Sequence, residues 1–210
     1  MSTIFSLTAQ LLLEQKMICE VSHDTYFDWL NNPTHQEKMD LFLTQLDRKL
    51  VKTSDGQAYF CGYLDASAPD ANREIRSQFK DATSHLGTLV KWLNLVMSSS
   101  PSGSPLSPGD PLYESDLLRS IENSPAQLDA LTEIARSPFV NSKATDGRGR
   151  IRAVLMRLKE QDYLVPVGNS GSQFRATGKW SWLYDVMAFI QSHEGLEEEP
   201  QSLIDQDHLV

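Results

Sequence analysis

Apolar positions along the chain form two successive series with the same order of elements. Leu7, Leu11 and Leu12, with Gln15 at the margin, mark one face of an opening helix. Residues 18–21 read as a short extended piece. Residues 25–30 predict a brief helix with Tyr26, Phe27, Trp29 and Leu30 as core candidates. Asn32-Pro33-Thr34 is a second start signal, because proline suits the first helical turn and Thr34 stands three residues before Glu37, the spacing of a capping box. Met39, Phe42, Leu43, Leu46 and Leu50 continue at helical spacing. Asp55-Gly56 then separates two β-rich runs, residues 51–53 and 58–61, which predicts a hairpin. Three helices closed by a hairpin is the pattern of a winged helix-turn-helix unit.

Residues 70–97 predict one long helix. Ile75, Phe79, Ala82, Leu86, Leu89, Val90, Leu93 and Met97 hold a single apolar face, longer than one small domain needs to bury. Residues 98–111, SSSPSGSPLSPGDP, interrupt it and read as an exposed loop within the molecule. The first pattern then returns. Residues 113–122 and 125–136 predict helices, the second with Leu128, Leu131 and Ile134 inward. Ile151, Val154, Leu155 and Leu158 repeat the spacing of Met39, Phe42, Leu43 and Leu46. Strands over 163–167 and 173–177 flank the turn 168–172. Trp180, Trp182, Leu183, Val186, Met187 and Phe189 predict a closing helix that packs back.

The expected fold is therefore mainly α with small β wings: two winged helix-turn-helix domains joined by a long helix. The expected division is a first domain over 1–69, the helix and loop over 70–111, a second domain over 112–192 and an acidic tail over 193–210. The tail, with Leu203, Ile204, Leu209 and Val210 among its acids, reads as a solvated segment or one that orders on a partner.

Composition narrows the function mainly by what it lacks. No Walker loop, GxGxxG, GxSxG or HExxH occurs, so no catalytic residue, cofactor or enzymatic activity is expected. Two cysteines, Cys19 and Cys61, and five scattered histidines show no metal-ligand spacing. The two thiols read as a reduced cytosolic pair. No apolar run reaches the length of a membrane span, and the opening residues lack the marks of a secretory leader.

Charge adds a positive indication. The chain carries −9, yet residues 143–179 carry about +5, leaving about −14 elsewhere. The eight bases are Lys143, Arg148, Arg150, Arg152, Arg157, Lys159, Arg175 and Lys179. Arg150, Arg152, Arg157 and Lys159 fall on or beside the third helix of the second unit, Arg175 on the wing strand with Lys179 just beyond it, and Lys143 and Arg148 in the polar loop before the helix, an arrangement suited to gripping phosphate. Arg150 and Arg157 are one heptad apart, about 20° around a helix, and are expected to lie exposed on one face. No Asn or Gln set stands at helix-face spacing to read bases, so non-specific double-stranded DNA binding is the expectation. The corresponding helix of the first unit, with Glu37, Lys38, Asp40, Asp47, Arg48 and Lys49, sums to zero. That copy is expected to face protein.

The run Arg150-Ile-Arg-Ala-Val-Leu-Met-Arg157-Leu-Lys, the segment from Tyr163 to Gly168, then Ser172-Gln-Phe174-Arg175-Ala-Thr177 and the closing helix resemble the MukE and MksE family. The first unit, with its Asp55-Gly56 wing and Tyr59-Phe60, is similar in order. The likeness covers nearly all of residues 1–192, and the overall size is closer to MksE; the proline-rich insert 98–111 has no counterpart. The resemblance implies a kleisin-interacting tandem winged-helix subunit of a bacterial condensin, of the MukBEF or MksBEF kind. It implies a cytoplasmic, nucleoid-associated homodimer that binds an MksF- or MukF-like kleisin. Through the kleisin it would join an MksB- or MukB-like SMC ATPase, and in some Mks-type systems a nuclease. Chromosome organisation and segregation or plasmid restriction would be its setting. The alternative is a free-standing tandem winged-helix transcriptional regulator or plasmid replication initiator.

Overall fold

The computed structural model describes residues 3–65, 67–100 and 103–197. Within α4 and α8, the side chains of 70–71, 74–76, 78–79, 81–82 and 193–197 fall outside that description, as does the tail 198–210. The chain is mainly helical, with two small antiparallel sheets of three strands each.

Helix α1 (Ile4–Leu13) is capped by Thr3, whose hydroxyl accepts from the Ser6 N–H. Gln15 follows in left-handed backbone at φ 59° and turns the chain into β1 (Ile18–Cys19). Helix α2 (Glu20–Leu30) starts earlier than the apolar spacing suggested, because it bends at His23, where the backbone leaves helical geometry. Asn32 caps α3 (Pro33–Thr44) by accepting from the Thr34 N–H at 3.0 Å. An asparagine cap ahead of Pro33 thus takes the place of the expected Thr34–Glu37 box. Asp47, at φ 56°, ends the turn after α3, so Leu46 is 46% exposed and Leu50 belongs to strand β2 (Arg48–Lys52). β3 (Ala58–Tyr63) pairs with both neighbours in the order β1-β3-β2. Leu12, Ile18, Leu30, Met39, Leu43 and Tyr59 form the core beneath. The Leu50 N–H on edge strand β2 donates to the Asp40 carboxylate of α3 at 2.8 Å, which blunts that edge.

Helix α4 (Pro69–Ser99) spans 31 residues. In its C-terminal half Leu86, Leu89, Trp92, Leu93, Leu95 and Val96 pack into the second core, while Val90 and Met97 of the expected face are half-buried. That core therefore begins within α4, well before residue 112. The expected contributions of Ile75, Phe79 and Ala82 lie outside the described side chains. Residues 103–110 are stitched onto the second half. Leu106 is buried, Tyr184 Oη donates to its carbonyl at 2.8 Å, and the Gly109 N–H donates to the Ala176 carbonyl at 2.8 Å.

Strand β4 (Pro111–Tyr113) is a third strand that three residues beginning with proline could not announce by alternation. Helices α5 (Glu114–Glu122), α6 (Pro125–Arg136) and α7 (Gly147–Glu160) follow. Then come β5 (Leu164–Pro166), β6 (Gln173–Ala176) and α8 (Lys179–Glu197). The sheet order, β4-β6-β5, repeats that of the first half. One more helix stands between strand and hairpin than in the first copy. Trp180 and Leu183 are fully buried, whereas Phe189, expected to pack back, is 52% exposed.

The halves meet through α8 and its approach. The Gly178 N–H donates to Cys19 Sγ at 3.2 Å, Lys16 Nζ lies 2.8 Å from Asp162 Oδ2, and the Ser54 N–H donates to Asp185 Oδ2 at 3.0 Å. The turn of the first hairpin is thus held by α8. Among the described residues no helix is long and apolar enough to cross a membrane.

Candidate nucleic-acid interface

The basic segment is organised by α7. Asp146 caps it, accepting from the Gly149 N–H at 3.1 Å, and Ile151, Val154, Leu155 and Leu158 fix it to the core. At about 100° per residue, that buried stripe leaves two flanks on which arginine and lysine can stand. Arg148, Arg152 and Lys159 share one flank. Arg150 and Arg157 share the other.

The second flank is turned into the protein. Arg150 donates from Nη1 to Thr132 Oγ1 at 2.8 Å and from Nε to the Ala144 carbonyl at 3.2 Å. Arg157 donates from Nε to the Phe139 carbonyl at 2.8 Å, lies 5.3 Å above the Phe139 ring and pairs with Glu160 at 3.3 Å. The heptad spacing did place the pair on one face, but that face ties α7 to α6 and to residues 139–144. Their expected exposure is corrected accordingly: both are half-buried. Lys179 is likewise turned in, with Nζ donating to the Gln161 carbonyl at 2.7 Å and lying 4.8 Å above Tyr163. Burial pushes its ammonium below the ordinary lysine range, against the pull of Asp162.

Five of the eight bases remain on the surface: Lys143, Arg148, Arg152, Lys159 and Arg175. Arg175 stands on the outer face of the second sheet, opposite Pro111 and Val165, and donates from Nε to the Gly109 carbonyl at 3.2 Å. Arg152 grips Glu114 with two bonds, Nε to Oε2 at 3.3 Å and Nη2 to Oε1 at 3.1 Å. Arg148 lies 3.9 Å from the same carboxylate. The Glu114 N–H donates to the Ser172 carbonyl at 2.9 Å, so this cluster adjoins the turn between β5 and β6. Tyr113, 40% exposed, is the neighbouring residue and pairs with Gln173 across the sheet. Sequence reasoning missed Glu114 and Tyr113. Neither carries a signal by itself, because an acid 38 positions from its arginine is found only by the contact.

The equivalent region of the first half is different. Lys38 lies over Phe5, Arg48 over Tyr63 at 3.8 Å, and the Asp40 carboxylate is committed to the Leu50 N–H. Leu41 is 62% exposed beside a shallow, largely apolar depression of about 360 Å³ between Phe5, Thr34, Lys38 and Phe42. Among the described residues no group of three or more His, Cys, Asp or Glu could hold a metal ion, and Cys19 and Cys61 are both free thiols.

No protein-family model matches the chain, and no curated protein matches it either.

Proposed function

We propose that this chain is a non-catalytic adaptor built of two winged-helix units, the second contacting duplex DNA and the first contacting protein. The observation that carries this reading is the asymmetry between the halves. In the second, α7, the loop before it and the neighbouring hairpin present Lys143, Arg148, Arg152, Lys159 and Arg175 to solvent. In the first, the hairpin turn is occupied by Asp185 and the surface of α3 is apolar at Leu41. Phosphate attraction of this kind is sequence-independent and salt-sensitive.

Within that class, the order of elements and the resemblance described above favour a kleisin-binding subunit of a MukBEF- or MksBEF-like SMC complex, working as a homodimer at the nucleoid. The dimer contact would use the first unit, where Leu41 stands exposed. Affinity purification with the full chain as bait tests the reading. Co-purification of a kleisin and a coiled-coil ATPase carrying a Walker loop is the expected result. Recovery of neither, together with a preference of 10³-fold or more for one operator over scrambled duplex, the scale of specific readout, would favour the regulator instead.

A further inference from the structure

We infer that Glu114 is a positioning residue for DNA binding: a buried carboxylate that presets Arg148 and Arg152 beside the hairpin of the second unit. The inference rests on the nucleic-acid reading above.

Among the described residues Glu114 is the one buried charged side chain. Its side chain is 7% exposed, whereas those of Arg152 and Arg148 are 60% and 66% exposed. A carboxylate removed from water requires partners, and removing one partner leaves an uncompensated charge. Here the partners come from the solvent side, and both belong to the same flank of α7. Position at the first turn of α5 accounts for an acid at this site, since negative charge is favoured at a helix N-terminus. It does not account for two exposed guanidiniums converging on it.

The geometry has a consequence for phosphate binding. Arg152 uses Nε and one Nη2 hydrogen on Glu114, which leaves its Nη1 hydrogens and the other Nη2 hydrogen pointing away from the carboxylate. A free surface arginine loses rotamer freedom when it binds a phosphate. Arg152 has already lost it, because the planar fork is clamped at two atoms. The backbone bond from Glu114 to Ser172 fixes the cluster relative to the hairpin that would lie along the duplex.

The test is Glu114→Gln, which keeps shape and removes one negative charge. Simple electrostatics expects tighter DNA binding from the more positive surface. Positioning expects the reverse. By fluorescence anisotropy on a random duplex, the variant should bind about three- to tenfold more weakly, the scale of one or two side chains re-ordered on binding. In an Arg148→Ala/Arg152→Ala background the same substitution should change nothing, which a general loss of structure would not reproduce. Equal or tighter binding by Glu114→Gln overturns the inference while leaving DNA binding intact. Failure of the wild type to bind any duplex overturns both readings. Should the variant fail to fold, hydrogen exchange at Arg152 Nε–H in the wild type decides. Exchange slower than at other exposed arginines, and retained on adding DNA, supports positioning; exchange at their common rate overturns it.

Discussion

The backbone of Gly178 lies directly against Ala58: a Cβ at Gly178 would come within 2.5 Å of the Ala58 Cβ and 2.8 Å of the Cys19 Cβ. This is a tight point of the junction between the halves, and the Gly178 N–H to Cys19 Sγ bond sits on it. Glycine is required here by space. Gly178→Ala must push β1 and β3 away from the start of α8, and overpacking of this kind costs about 1–3 kcal/mol. Urea denaturation should show a lower midpoint. Adding Ala58→Gly should recover part of the stability, because it removes the nearer of the two clashing carbons. An unchanged midpoint for the single variant would mean that the junction yields freely.

Arg150 and Arg157 belong to the fold. Truncating Arg157 to alanine leaves the Phe139 carbonyl without its donor and uncovers the ring beneath. Removing such a partner costs about 1–3 kcal/mol. Arg150→Ala gives up two bonds that hold α7 to Thr132 and Ala144. Thermal melts should place both variants below the wild type, with Arg157→Ala accompanied by a weaker near-ultraviolet signal from the second core. Wild-type stability in either variant would return these arginines to the surface.

His23 should give the protein a pH dependence near neutrality. Burial holds its imidazole below the ordinary value of 6.5; Asp162 and Asp24 oppose this and Lys16 adds to it. Ser22 Oγ contacts Nδ1 at 2.9 Å, and the Tyr26 ring packs nearby. The unfolded chain takes up a proton at His23 before the folded chain does. Stability is therefore full above about pH 6.5 and falls as the pH drops through the lower folded value. Melting temperatures at pH 7.5, 6.5 and 5.5 should decline, and the decline should flatten in His23→Asn. A slope identical in the variant would assign the effect to other groups.

Much of this architecture was legible because it is written in local chemistry. Pro125 and the spacing of Leu128, Leu131 and Ile134 announce α6, and Asp55-Gly56 announces the first hairpin. What stayed hidden depends on contacts between distant residues. Strand β4 exists only because β6 offers it a partner. The basic cluster was visible as charge, but whether a base faces water or a carbonyl depends on what packs against its flank of α7. Heptad spacing correctly put Arg150 and Arg157 together and could not say that α6 and residues 139–144 lie on that side. Glu114 was invisible because its role is defined by Arg152, far along the chain.

Lys143, Lys159 and Arg175 offer the cleanest measurement of the surface. Lys143 and Lys159 are exposed, and their side chains make no hydrogen bond or ion pair among the described residues, while Arg175 holds a single backbone carbonyl. Substituting any of them by glutamate should change stability by no more than about 0.5 kcal/mol, the usual range for exposed positions. Each should nevertheless weaken DNA binding, because attraction to phosphate becomes repulsion. Anisotropy across a salt series reads this directly. The slope of log K against log salt should shrink by about one unit for every phosphate that is no longer neutralised, and by the same amount on random and defined duplexes. The triple variant should bind duplex DNA hardly at all at about 150 mM salt while melting like the wild type. Undiminished binding by that variant would exclude Lys143, Lys159 and Arg175 from the contact and leave Arg148 and Arg152 as the exposed bases of α7 that could make it.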